Sequence, residues 1–263
     1  MKLSFSFAFI AATCLLAAAL HAADGIVLVE KTTVAGNTRT NQIQITKDRM
    51  RAEIAGDSGE KQAVVFDATK QLLWLINFEK KTYMELTKAD ADRLGAQTND
   101  ALAQMQEQFK NLPPAQRAQI EAMTRGRGMP GGPPQKTEYR RAGSDKVGKW
   151  ACAKYEGFRG TEKASEICTV EPKELGVAAA DFEAARQVGE FFKKMNPQNE
   201  DRIPVIGSVA EQGFSGYPVR RMTQLGPNQM TSELVDASRQ SIPDSAFDLP
   251  AGFKKEAFPA IGR

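Results

Sequence analysis

The chain has 263 residues, 41% of them hydrophobic and 25% charged, with 35 Lys and Arg against 32 Asp and Glu. That length can bury the core of one domain or of two small ones. The charges are mixed, with no long block of one sign, which argues against nucleic acid and against a polybasic membrane patch as partners.

Residues 1–23 read as a secretory signal: Lys2 gives a positive start, an apolar run extends from Leu3 to Leu20, and Ala22-Ala23 precedes the charged Asp24. Cleavage near Ala22/Ala23 would place residues 24–263 in the periplasm as a single domain without a stable membrane span. It would also remove His21 and Cys14, leaving no imidazole and one cysteine pair, Cys152 and Cys168. Cys14 is not read as a lipidation site, because Thr13 and Ala11 depart from the pattern that precedes a lipidated cysteine.

The first third reads as an antiparallel meander. Ile26–Val34 is a strand ended by Ala35-Gly36-Asn37, and Gln42–Ile45 alternates cleanly. Past Lys47-Asp48, Met50, Ala52 and Ile54 face one side while Arg49, Arg51 and Glu53 face the other. Gly56-Asp57-Ser58-Gly59 turns the chain into Ala63–Phe66. Leu72–Ile76, centred on Trp74, is apolar on both faces, as expected of a strand covered on both sides. Thr82–Leu86 follows.

The period then changes. From Lys88 to Lys110 helix formers dominate, with Leu94, Leu102, Met105, Phe109 and Leu112 at near-helical spacing. Pro113-Pro114 ends that helix and starts another, Ala115–Thr124. Together they make a helical insertion over 88–125, followed by a Gly- and Pro-dense linker over 126–135. Strands resume at Lys136–Arg141, Lys149–Gly157 and Lys163–Val170. A second helix, Asp181–Met195, carries Phe182, Ala185, Val188, Phe192 and Met195 along one stripe, and Asn196-Pro197 stops it. Tyr217–Leu225 and Gln229–Ala237 pair around Gly226-Pro227-Asn228, and the tail Ile242–Phe253 reads as Pro-rich and extended.

Cys152 and Cys168 lie equidistant from Gly160. A hairpin turning over residues 158–162 would set them directly opposite, at ~4.5 Å between Cα atoms, within reach of a disulfide. In an oxidising compartment the pair is expected to close and to stabilise the fold by ~3 kcal/mol.

These elements predict an α+β, mainly antiparallel β fold: a curved half-barrel sheet of roughly eleven strands whose concave face is covered by two helical insertions. Lys81–Leu86, Leu112–Arg117, the Cys152/Cys168 pair and Ile242–Phe253 carry a family resemblance. In their order, they resemble an uncharacterised family of exported bacterial proteins that is similar in fold to the outer-membrane lipoprotein carriers. That resemblance implies the half-barrel with a helical lid and an envelope location. It implies no known activity.

Several chemistries can be set aside. Gly56-Asp57-Ser58-Gly59 spells a serine-protease nucleophile segment, but the mature chain has no imidazole to accept the proton. Without histidine, and with both cysteines paired, zinc chemistry loses its ligands, and no calcium loop or phosphate-binding glycine motif is present. Val64-Val65-Phe66-Asp67 delivers an aspartate from a strand, yet the following Ala68-Thr69-Lys70 lacks a second one, so Asp67 is read as a turn former.

The expectation is therefore a non-enzymatic periplasmic binding protein, with no cofactor, metal site or catalytic residue, that carries an apolar ligand, lipid or lipidated envelope protein. Trp74, Phe182, Phe191, Phe192 and Met195 are its candidate apolar lining, and an ordinary filled core is the competing account of the same stripe. Two alternatives stand beside it: an interaction or chaperone module using residues 88–134 as an arm, and a histidine-free hydrolase built on paired carboxylates.

Overall fold

The structure, a computed structural model, describes residues 22–55, 60–124, 137–195, 213–225 and 228–258. The leader with Cys14 and His21, the Gly56–Gly59 turn, the 126–135 linker and the turn at Gly226-Pro227 lie outside the described residues.

The first six strands are β1 (Ala22–Val34), β2 (Asn37–Thr46), β3 (Arg49–Ala55), β4 (Lys61–Asp67), β5 (Leu72–Asn77) and β6 (Thr82–Thr87). Each pairs antiparallel with the next. The β1–β2 turn explains itself: Ala35 and Gly36 both have positive φ, 49° and 82°, the conformation that matches the twist of a two-residue hairpin. Two helices follow, α1 (Lys88–Lys110) and α2 (Pro114–Thr124). Next come β7 (Glu138–Val147), β8 (Trp150–Arg159) and β9 (Glu162–Val170), then α3 (Glu183–Met195), β10 (Tyr217–Leu225), β11 (Asn228–Pro243) and β12 (Lys254–Glu256).

Among the described residues twelve strands join one open sheet in the order β12-β6-β5-β4-β3-β2-β1-β11-β10-β9-β8-β7. The long β11 returns to pair with β1, and that contact joins the two halves of the chain. The mainly antiparallel open sheet is the one read from sequence. The strand count differs by one, because Lys254–Glu256 adds to the edge of β6, and in parallel. The tail before it is not simply extended: Asp244–Phe247 forms a 3-10 turn.

The two faces of the sheet are covered by different segments. On one, Phe66, Leu73 and Leu86 pack under Ala91 and Leu94 of α1 and Val188 and Phe191 of α3. Alongside, Ile26, Leu28, Ile45, Val170 and Val219 pack with Leu175, Val177 and Phe182 from the segment leading into α3. On the opposite face, Val27, Ala63, Val65 and Ile76 are covered by Phe247 of the tail, with Leu249 and Phe253 packed beside it. This accounts for the doubly apolar β5: Leu73 faces the helices while Trp74 and Ile76 face the tail.

The helical cover is narrower than expected. In α1 the buried residues are Ala91, Leu94 and Gly95. Farther along, Leu102, Phe109 and Leu112 are half-buried and Met105 is exposed, so the distal part of the first insertion does not seal the sheet. In α3 the buried stripe is Ala184, Ala185, Val188, Gly189 and Phe191. It is rotated from the expected one: Phe191 points inward, whereas Phe192 and Met195 lie half-buried at the border.

Cys152 and Cys168 form a disulfide with Cα atoms 5.4 Å apart. They do not stand directly opposite. The turn is tighter than expected, with Arg159 paired to Glu162, and a bulge between Gly157 and Phe158 shifts the register so that Lys154 faces Cys168. The bridge therefore joins diagonal positions on β8 and β9.

Candidate functional site

The α1–α3 cover over β4–β6 is the region where the fold presents both an apolar interior and an opening. Its construction is local. Thr87 caps α1 through a reciprocal box: the Asp90 N–H donates to Thr87 Oγ1 at 3.2 Å, and the Thr87 N–H donates to Asp90 Oδ2 at 3.0 Å. That fixes the direction in which α1 leaves β6 and sets Ala91 and Leu94 over Leu86.

The outer face of α3 is held by Arg186, which pairs with Glu183 at 2.6 Å and with Glu190 one turn on. Its inner face meets the sheet through Phe191, edge-on to Phe66 at 5.9 Å between ring centroids. Gln187 also contacts the β4–β5 turn, where Gln71 Nε2 donates to its side-chain oxygen at 3.0 Å.

Beyond the apolar packing of Leu94 against Val188 and Phe191, the two helices approach most closely at Gly95. A Cβ on Gly95 would stand 2.3 Å from the Lys194 carbonyl oxygen, so only glycine lets the backbones approach this closely. The Thr98 hydroxyl lies 3.2 Å from the Met195 carbonyl. Above this seam is an open groove of about 600 Å³, between Asp92, Gly95, Ala96 and Asn99 of α1 and Glu190, Lys193 and Lys194 of α3. Asp92 and Lys194 face each other across it at 3.7 Å.

The five residues expected to line an apolar site are distributed over three clusters. Phe182 stacks on Tyr217, 5.2 Å between centroids, beneath the segment that leads into α3. Phe191 lies in the core under α3, with Phe192 and Met195 at its edge. Trp74 belongs to the opposite face, where its Nε1 donates to Glu85 at 3.0 Å. The structure thus brings together Phe191, Phe192 and Met195, separates Phe182 and excludes Trp74 from the space under the helices. That space is closely packed: Phe66, Leu73 and Leu86 are fully buried.

The groove itself was not anticipated. Its only local signals are the Thr87-to-Asp90 spacing of a capping box and the small Gly95-Ala96 pair inside a helix. Its other wall, at the end of α3, is nearly a hundred positions away in sequence.

The carboxylates perturbed by the fold are all held below their ordinary range. Glu183 is lowered to about 2, chiefly by Arg186 and then by Gln187. Lys255 and Trp74 lower Glu85. At Glu166 burial opposes ionisation, but Lys163 and Lys154, 2.9 and 3.1 Å away, outweigh it. Burial likewise opposes the Asp67 carboxylate, which Thr69 and Lys70 hold ionised. Asp67 is the turn former read from sequence: its Oδ1 accepts from the N–H groups of Thr69 and Lys70, both at 3.0 Å. A hydrolase acid needs the opposite shift. Among the described residues no group of three or more His, Cys, Asp or Glu side chains could hold a metal.

The Glu183 shift has a consequence for stability. Its folded value lies below the ordinary 4.5, so its contribution is complete above about pH 4.5 and is lost as the pH falls towards 2. The pair is partly exposed, so the effect is small. A denaturation series between pH 6 and pH 2 should show Glu183→Gln losing less stability than the parent chain; identical acid slopes would contradict this role.

No helix among the described residues is long and apolar enough to cross a membrane. No curated protein matches the sequence. Three solved structures align with this chain at low identity. An uncharacterized conserved protein from Thermus thermophilus aligns at 8% identity over 90% of this chain and 91% of its own, with a TM-score of 0.46. The MucA/MucB complex of Pseudomonas aeruginosa aligns at 9% identity over 87% of this chain and 56% of that one, with a TM-score of 0.36. A LolA superfamily protein from Nitrosomonas europaea aligns at 8% identity over 88% and 91%, with a TM-score of 0.28. Residues 133–253, which span β7 to the tail segment that covers the sheet, match a domain of unknown function, DUF4412.

Proposed function

We propose that this is an exported, non-enzymatic binding protein of the cell envelope that carries an apolar ligand, a lipid or a lipidated partner, beneath a displaceable α3 lid. The observation that carries this reading is the closure of the sheet over β4–β6 by a few side chains of α1 and α3. Phe66, Leu73 and Leu86 form an apolar floor, and Leu94, Val188 and Phe191 cover it. The space is filled in this state, so a ligand enters by displacing α3 rather than by diffusing into a void.

The magnitudes allow such an exchange. Exposing Leu94, Val188 and Phe191 costs about 5–9 kcal/mol at ~1.5–3 kcal/mol per side chain. Burying a fourteen-carbon chain returns roughly 10 kcal/mol at ~0.8 kcal/mol per methylene. A free-swinging lid would be unstable alone, and a lid over an acyl chain would not.

Native mass spectrometry of the exported, purified protein tests this directly. The expected spectrum contains adducts with the masses of lipids, which extraction removes and added lipid restores. A monomer of bare polypeptide mass that takes up no added lipid would contradict it. Co-purification of a polypeptide in place of lipid would favour the arm reading instead, which the 40% exposure of Met105 on distal α1 supports.

A further inference from the structure

The groove over the α1–α3 seam has chemistry that the lid does not require. The helices are held together by Leu94 and Phe191 below and by the Gly95–Lys194 contact between them. The Asp92–Lys194 pair, at 3.7 Å and half-exposed on both sides, contributes little to that. Yet the groove gathers two carboxylates and two ammonium groups around a floor of bare backbone and a methyl group, Gly95 and Ala96.

Its position makes the charge arrangement informative. Lys193 and Lys194 are bracketed in sequence by Phe192 and Met195, whose side chains pack at the edge of the apolar core beneath α3. One end of one helix therefore joins a charged groove to the border of the apolar interior. A ligand that matches has a phosphate and an ammonium at one end and a hydrocarbon chain at the other.

From this juxtaposition we infer that the α1–α3 groove is the headgroup site for a zwitterionic glycerophospholipid. Lys193 and Lys194 bind the phosphate, and Asp92 binds the amine, whereas Glu190 keeps its pairing with Arg186 at the rim of the groove. The inference rests on the carrier reading and specifies which lipid class is carried and where its polar end sits. Asp92 and Lys194 exchange a loose mutual contact for partners of opposite charge on the ligand.

The test compares three probes on the full exported chain: lysophosphatidylethanolamine, a fatty alcohol of the same chain length, and soluble glycerophosphoethanolamine. The lysolipid should bind more tightly than the alcohol. In the Lys193→Glu, Lys194→Glu double variant its affinity should fall roughly tenfold, with alcohol binding unchanged. Asp92→Asn should weaken the lysolipid but not lysophosphatidylglycerol, which lacks the amine. Circular dichroism checks that these surface variants keep the parent fold. Equal binding of lysolipid and alcohol, untouched by the double variant, would overturn the headgroup site and leave the carrier reading standing. If the soluble headgroup binds as tightly as the lysolipid, the groove remains an anion-and-amine site but its lipid source is refuted. Binding of none of the probes removes the carrier reading and this inference together.

Discussion

Replacing Phe191 by alanine is expected to cost about 3–5 kcal/mol of folding stability and, at the same time, to increase the uptake of apolar probes. Phe191 is 4% exposed and fills the angle between α3 and the floor formed by Phe66, Leu73 and Leu86. Truncation removes the transfer free energy of the ring and leaves a space that the surroundings close only partly. How far they close it depends on α3, which can settle towards the sheet because its outer face meets solvent. The cost should therefore lie towards the lower end of that range.

The control is Phe192→Ala. Sequence periodicity places Phe192 on the inner stripe, whereas the structure leaves it half-buried at the border. Its truncation should cost less than half as much. Urea denaturation followed by circular dichroism measures both, and titration with a fatty alcohol measures uptake. Equal losses at the two positions would mean that α3 is rotated from the orientation described, and a Phe191→Ala loss below about 1 kcal/mol would mean that the space under the lid is not packed.

The second large effect concerns the disulfide. Replacing Cys152 and Cys168 together by alanine should lower stability by ~3 kcal/mol, the chain-entropy estimate for a bridge between residues 16 apart. Alanine avoids the separate penalty of burying two serine hydroxyls, since both positions are buried, at 4% and 0% exposed. The bridge ties β8 to β9 beside Trp150, Val170 and Tyr217, so its loss is felt in the core under Phe182 as well as in the hairpin. Wild-type protein under a reductant should show the same drop in denaturant midpoint. Oxidised and reduced forms of equal stability would contradict the estimate.

Several features of the fold were legible because they are local. The span of α1 was read from its run of helix formers and from Pro113-Pro114 beyond its end, and the structure adds the Thr87 box that starts it. Alternation in Arg49–Ile54 set its two faces, and Met50 and Ala52 do pack inward. The unbroken apolar run of Leu72–Ile76 required a cover on both sides, and both covers exist. The cysteine pair was read from its setting, although the bulge at Gly157/Phe158 displaced its register by an amount no spacing rule contains. The candidate lining fared less evenly. Five apolar residues were grouped by character, and the fold placed Trp74 on one face of the sheet and Phe191 on the other.

Taken alone, the amino-acid order determined most of the strands and helices and, for most of them, which side is apolar, because those properties repeat within a few residues along the chain. It did not determine what each apolar side would meet. That β11 closes on β1, that the tail adds β12 to β6, and that Gly95 touches Lys194 to open a charged groove are contacts between distant segments. Hydrophobic burial has no direction of its own, so the periodicity that demands a partner for each apolar face cannot name it. Only the mutual exclusion of the packed elements does that.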